Sequence, residues 1–478
     1  MITIQLSPNV EGLLTDIASQ GEAYLVGGAV RDYFRGTEIG GDIDVATNVD
    51  VETLKSYLRS KGYRVVSTGS DIERGAEFGV FLVALPNGET VDIAQFRAEQ
   101  YDPKTRKPLT SPVKTIQEDL ARRDAPINAI ALKYLGGNNY EVIDPYGGRE
   151  DIKKGVVRAV GEASARISDD PLRALRYIGF ASRFGYQVDP VTLQAIKDNL
   201  NRMDVVSRER IHDEIIKRLK KGNVARYFEL LHDSGLLTYL FPEFVNADNV
   251  LHDNRGTHHG ESVYEHTREV LARIPDSATP EFKLAALLHD IGKVDTGTVE
   301  DSASGMKRMF VGHDKRSAEI AQKRLTELRF PSSTINYVRR LAAEHMNLNT
   351  VVALPKPKKP LADLVLNMHE DYPLLKDLVD LTEVDSGIAV PQIKSLVEQF
   401  SKMPTAITGE NVLQYPPKSR GAILRQMRYL QLTQGLGRDS LLNLLGGEAN
   451  NILVNMGYPL VEAQSFAIRR AMDASQSH

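Results

Sequence analysis

Leu25-Val-Gly-Gly-Ala-Val-Arg-Asp32 and, shortly after it, Gly40-Gly-Asp-Ile-Asp-Val-Ala-Thr47 decide how this chain is read. Gly27 and Gly28 end a short apolar run and precede a helical pattern, so backbone N–H groups there can approach a polyphosphate closely. Asp42 and Asp44 are two residues apart, which on a strand turns both carboxylates to one face. Such a pair can share two Mg²⁺ ions, one serving an attacking hydroxyl and one the leaving phosphates. Gly-Gly alone reads as a turn and Asp-x-Asp alone as a solvated edge. At this separation they read together as a phosphate and metal site.

Around this segment the first ~150 residues mix strand and helix signals by periodicity. Tyr24–Val26, Phe78–Leu85 and Thr90–Phe96 are β-rich, and Pro86-Asn87-Gly88 makes a turn between the last two. From about residue 160 the pattern becomes one of long amphipathic helices. Ile211, Ile215 and Leu219 form one apolar stripe on a helix that Ser207 can cap. Leu354–Pro360 reads as a proline-rich connector or exposed loop.

A chain of 478 residues is too long for one ordinary core, which implies three or more domains. The absence of cysteine excludes disulfides and thiolate ligands, so any metal must sit on His, Asp and Glu, and it fits a reducing cytoplasm. The N-terminal stretch lacks a signal-peptide pattern, and no apolar run approaches the ~20 residues of a membrane span. The net charge of −4 gives no global nucleic-acid signal. A local patch does exist: Arg202 to Arg226 holds eight Lys/Arg against four Asp/Glu.

The ordered motifs resemble those of class II tRNA nucleotidyltransferases and bacterial poly(A) polymerases. Gly27, Gly28, Arg31 and Asp32 with Asp42-Ile43-Asp44 match the signature of that family. Val91-Asp92-Ile93 resembles the strand that supplies a third carboxylate, Asp92. Asp119-Leu-Ala-Arg122-Arg123-Asp124-Ala-Pro-Ile-Asn128 resembles the segment that binds nucleotide phosphates and sugar. Asp169-Asp170-Pro-Leu-Arg173-Ala-Leu-Arg176 resembles the base-reading helix, and Ser207–Lys217 the neck helix that supports it.

Arg122 and Arg123 offer guanidinium forks to a triphosphate. Asp170 and Arg173, three apart and expected on one helix, would meet the Watson–Crick edges of C or A. The resemblance makes that pair a protein template for choosing CTP or ATP. Three positions depart from the family pattern: Asp169 replaces the usual Glu, Ala125-Pro126 a Phe-Thr, and Gly179 a recurrent third arginine.

Eight of the 11 histidines fall between His252 and His369. His266, His289-Asp290 and Asp385 resemble the HD phosphohydrolase pattern, and His313 and His345 fall where two-metal members add ligands. Imidazole with carboxylate suits Mn, Ni, Fe, Co or Zn rather than calcium. Lys293 stands one turn beyond the pair, within reach of a substrate phosphate. His252, His258, His259 and His369 match nothing.

The expected fold is α+β. A polymerase-β-like mixed-sheet nucleotidyltransferase head (1–155) precedes an all-α neck (156–245) for base selection and RNA backbone contact. An HD helical domain (246–400) and a helical, RNA-binding tail (401–478) follow. The expected activity is addition of C, C and A to the 3′ end of tRNA from CTP and ATP, with no membrane partner and no reading of oligomeric state. The alternatives are a poly(A) polymerase, a CC- or A-adding enzyme, and, from another class, an HD phosphodiesterase with a nucleotide-binding head.

Overall fold

The strand signals of the head condense into one sheet. In the computed structural model, which describes residues 1–39, 43–66, 80–101, 108–251, 261–302 and 305–456, ten strands precede residue 144. They are β1 (Ile2–Thr3), β2 (Ala23–Val26), β3 (Ile43–Thr47), β4 (Arg64–Val66), β5 (Val80–Ala84), β6 (Thr90–Gln95), β7 (Arg97–Tyr101), β8 (Pro108–Pro112), β9 (Ala131–Gly136) and β10 (Asn139–Ile143). Eight of them make a mixed sheet in the order β1-β10-β9-β2-β3-β6-β5-β4, and β7 pairs with β8 separately. Within the eight-stranded sheet, β3 and β6 run parallel and every other neighbour pair is antiparallel. The Pro86-Asn87-Gly88 turn joins β5 to β6, with Gly88 at φ 86°. Under the sheet, Tyr24, Val26, Ala46, Phe96, Ile116, Leu120 and Ala131 form one buried cluster.

The chain divides into two compact units. The first comprises Met1–Val245 with Glu327–Phe330, and the second begins at Asn246. The neck helix Arg208–Lys220 buries Ile211, Ile215 and Leu219, and Ser207 caps it by accepting from the N–H of Arg210. Past the head the described residues are helical apart from two small ladders and an isolated Leu251–Ser262 bridge. Val156–Val157 pairs with Gln187–Val188 in parallel, and Thr298–Ser302 pairs with Gly305–Met309. The latter arms are five residues each and mostly polar, so no apolar alternation announces them.

The proline-rich segment is less of a loop than expected. Lys358, Lys359 and Pro360 open the helix Lys358–Asn367, whose first turn has no use for a proline N–H. At the end of the described chain, Val412, Tyr415, Ile423, Met427, Leu441, Leu445 and Leu453 close a separate core of the tail.

Candidate active sites

In the head, the parallel register pairs Asp44 of β3 directly with Asp92 of β6. Side chains in register on neighbouring strands share a face, so both carboxylates emerge on one side of the sheet. Asp42 lies outside the described residues. The helix Gly27–Phe34 starts at the end of β2 beside β3, and a Cβ on Gly27, whose φ is +76°, would run into Oδ2 of Asp44. Glycine is needed there twice over, for the left-handed backbone and for the close approach of the carboxylate.

The arginines expected at a triphosphate are already ordered. Asp119 is 2% exposed and accepts from Nε and a terminal nitrogen of both Arg122 (3.0 and 2.9 Å) and Arg123 (3.3 and 3.1 Å). Burial pushes the Asp119 carboxyl up, but the two guanidiniums outweigh it and hold the group below the usual carboxylate range. The other terminal nitrogen of Arg123 donates to the Asn128 carbonyl at 3.3 Å.

A second chain of contacts links the Gly-Gly helix to the neck. Arg31 clasps Asp32 at 3.0 and 2.9 Å and donates to Oδ1 of Asn128 at 2.7 Å. Asn128 donates to Asp124 at 3.1 Å, and Arg176 meets the other oxygen of Asp124 at 2.7 Å. Burial acts first on Asp124 and raises it, yet Arg176 and two N–H donors keep it ionised below its ordinary value.

The base-reading segment corrects one expectation. Asp170 and Arg173 do not share a helix: the first ends at Asp169, Asp170 is extended (φ −134°, ψ 99°), and the next helix is Arg173–Phe184. Pro171 is the cause, because a residue before proline is pushed out of the helical region. The Asp170 carboxylate instead accepts from the Leu172 N–H at 3.3 Å and from Arg210 of the neck helix at 2.8 Å. Arg173, 3% exposed, donates to the carbonyls of Arg166 (3.2 Å) and Arg122 (2.9 Å). Gly179, where the family repeats an arginine, leaves room for the side chain of Arg218, which sits on Glu214.

The second unit holds a cluster of another kind. His266, His289, Asp290 and Asp385 bring one ligand atom each within a mutual 4.8 Å, and so do Asp290, His313 and His345. Asp290 belongs to both sets. The separations are 2.9 Å for His266–Asp385, 3.5 Å for His266–Asp290, 3.3 Å for His289–Asp290, 3.2 Å for His313–Asp290 and 3.4 Å for His345–Asp290. Ligands about 2.1 Å from a common ion stand roughly 3.0–3.4 Å apart in octahedral or tetrahedral geometry, so these spacings fit a divalent metal.

Three rings are also turned for the task. Nδ1 of His289, His313 and His345 lies 2.8, 2.7 and 2.7 Å from the carbonyls of Ala286, Phe310 and Ala342. A donating Nδ1–H leaves Nε2 bare toward the cluster. Burial lowers His289, but Asp290 and Asp385 overcome it and drive its pKa up to about 10.

Lys293 does not point away to a substrate: its ammonium rests on Asp290 at 2.7 Å. Asn349 was missed by sequence reasoning; one turn past His345, it donates to Asp385 at 3.3 Å. His369 sits in a turn at φ 56°, and His252, His258 and His259 lie outside the described residues.

Comparison with known proteins agrees in order with this layout. Residues 23–158 match the poly A polymerase head domain, 185–247 a "probable RNA and SrmB-binding site of polymerase A", and 259–378 the HD domain. The A-adding tRNA nucleotidyltransferase of Deinococcus radiodurans is 30% identical over 390 residues, covering 80% of each chain. The CCA-adding enzyme of Geobacillus stearothermophilus is 35% identical over 231 residues, and the match spans 48% of this chain and about half (53%) of that protein. In fold, the Bacillus stearothermophilus CCA-adding enzyme solved in complex with CTP superposes with a TM-score of 0.68 at 22% identity, covering 94% of this chain and all of that one.

Proposed function

We propose, for a chain that belongs to the family of CCA- and A-adding tRNA nucleotidyltransferases, that it adds C, C and A to the 3′ end of tRNA from CTP and ATP. The observation that carries this reading is the in-register Asp44–Asp92 pair at the start of the Gly-Gly helix. With Asp42, these carboxylates are the proposed holders of Mg²⁺, which when bound supplies charge neutralisation at the transferring phosphorus. The residues of the chain do the rest by positioning. Arg122 and Arg123, aligned by Asp119, receive the triphosphate, and Gly27 and Gly28 allow its close approach. Asp124 and Asn128 orient the sugar side, while Asp170, Arg173 and Arg176 face the base edge.

RNA affinity is assigned first to the neck, where Arg202, Lys220 and Lys221 are exposed. The tail offers less than its composition promises. Arg420, Arg425, Arg428 and Arg438 donate to Tyr415, Asn367, Glu370 and Ala406. No described helix is long and apolar enough to cross a membrane, and a chain without cysteine suits the cytoplasm.

The test is incorporation of CTP and ATP, separately and together, into tRNAs ending before CCA, at C and at CC. Full repair of all three supports the proposal. A alone on the CC-ended tRNA would make it an A-adding enzyme, and runs of A would make it a poly(A) polymerase.

A second reading holds for the second unit, on the two ligand sets that share Asp290. His266, His289, Asp290 and Asp385 would hold one transition metal (Mn, Ni, Fe, Co or Zn) and Asp290, His313 and His345 another. The proposed chemistry is hydrolysis of phosphomonoesters or 2′,3′-cyclic phosphates at RNA ends. Absence of such hydrolysis across those metals would reduce the unit to a scaffold.

A further inference from the structure

On the first unit, the end of the helix Gly27–Phe34, the helix Gly148–Lys154 and the turn Phe184–Tyr186 enclose a cleft of about 730 Å³ that the proposed nucleotide site does not use. Its walls carry Phe34, Arg35, Arg149, Lys153 and Tyr186. Arg35 lies 4.1 Å over the Phe184 ring and 5.9 Å from Tyr186, and Arg149 lies 5.0 Å over Phe34. A ring occupies one face of a guanidinium and leaves its in-plane N–H donors pointing outward.

The carboxylates nearby are committed. Asp144 accepts from the N–H groups of Gly148 (2.7 Å) and Arg149 (3.0 Å), Glu150 faces Lys154 at 3.5 Å, and Asp32 is clasped by Arg31 and also paired with Arg35 at 3.3 Å. Among the described residues Arg149 and Lys153 pair with no carboxylate, and both are exposed. Behind them, Arg31, Arg35 and Arg183 crowd one Phe184 ring at 4.6, 4.1 and 5.1 Å. Asp32, paired with Arg31 and Arg35, offsets part of that charge, and a polyanion relieves the rest.

We propose that this cleft binds a single-stranded RNA segment, with phosphodiesters on Arg35, Arg149 and Lys153 and one base against Tyr186. Cations spread over two elements, with aromatic faces between them, match a strand rather than a mononucleotide. Gly27, where an added Cβ would meet Asp44, opens an eight-residue helix, and Arg35 follows its other end, about 12 Å away. A strand held there can present its terminus to Asp44. The identity of the strand, the 3′ region of tRNA, rests on the transferase reading above; the cleft itself does not.

The test compares the full chain with Arg149→Ala/Lys153→Ala, and with Lys153→Glu alone as a single exposed change. The probe is a labelled tRNA lacking its last three nucleotides, titrated across a series of KCl concentrations. The double variant should raise Kd roughly tenfold and lower the slope of log K against log salt by about 1.5, since each lost phosphate contact removes ~0.7–0.9. Lys153→Glu should raise Kd in the same direction, and CTP affinity by equilibrium dialysis should not move. Because the chain contains no tryptophan, Tyr186→Trp supplies a sole reporter that the RNA should quench and CTP alone should not.

Unchanged RNA affinity and slope in both charge variants would overturn the proposal, as would quenching by CTP alone, which would make the cleft a nucleotide subsite. A chain that adds no nucleotide to any tRNA but keeps these shifts would refute the transferase reading and leave the cleft standing.

Discussion

Replacing Asp290 should empty both metal positions of the second unit, whereas replacing His345 should empty only one. One oxygen of Asp290 stands 3.3–3.5 Å from His289 and His266, and the other 3.2–3.4 Å from His313 and His345. Asp290→Asn therefore takes a charged ligand from each set, leaving His266, His289 and Asp385 on one side and His313 and His345 on the other. His345→Ala leaves the four-ligand set untouched. Loss of a group that merely orients a ligand costs 10–100-fold in metal affinity, so loss of a ligand should cost more than about a hundredfold, or ~2.7 kcal/mol. After dialysis against low-micromolar Mn²⁺ or Ni²⁺, mass spectrometry should find two ions per wild-type chain, one in His345→Ala and none in Asp290→Asn. Nucleotide addition should be unaffected in all three. One ion retained by Asp290→Asn, or both lost from His345→Ala, would refute the shared carboxylate.

In the head, Asp44→Ala or Asp92→Ala should abolish nucleotide addition, measured by primer extension, while tRNA affinity stays within about twofold, because the cations proposed to hold RNA lie elsewhere. Gly27→Ala forces a Cβ against Asp44 and should displace that carboxylate by about 1 Å, costing on the order of a hundredfold in kcat. Asp119→Asn loosens both Arg122 and Arg123; it should lower stability by about 2–3 kcal/mol and raise KM for CTP and ATP together. In wild type the depressed Asp119 and Asp124 contribute stability that is fully present above pH ~4 and is lost as pH falls through their lower folded values. Thermal melts of Asp119→Asn should therefore show a shallower acid limb than wild type.

Much of the head was legible because its signals are local. The two-residue spacing of Asp42 and Asp44 put Asp44 on a strand face, Asp92 came from the family resemblance, and Ser207 before an i, i+4 stripe announced a capped helix that exists as read. The pairing partners were less visible, since they are set by packing across the chain: nothing local links Asp170 to Arg210, 40 residues away, or Asn128 to Arg31, 97 away. Two features were readable and overlooked. Asp119 stands three and four residues before Arg122 and Arg123, the spacing at which helix side chains meet. Pro171 forbids helical backbone at Asp170, which rules out a single helix carrying Asp170 and Arg173. In the second unit, the HD resemblance named the candidate ligands, but that Asp290 belongs to two sets depends on five separate helices converging.

The groups expected to meet a nucleotide share a property that bears on how one site can choose between bases. Arg31, Arg122, Arg123 and Arg176 are each anchored to a protein carboxylate, and Asp170 to a guanidinium. A side chain anchored before the ligand arrives loses little further freedom on binding, and its remaining donors keep a fixed direction. Fixed donors discriminate by leaving a buried group unpaired when the wrong base enters, which separates ligands more sharply than a flexible pocket does. Arg173 extends that logic. It donates to the backbone carbonyls of Arg166 and Arg122, so the segment carrying Arg122 and the helix that Arg173 opens are joined through one guanidinium. With the roles proposed for these residues, a shift of the Arg122 backbone on triphosphate binding would be felt at the base edge, and selection of the base and seating of the triphosphate would become one event rather than two.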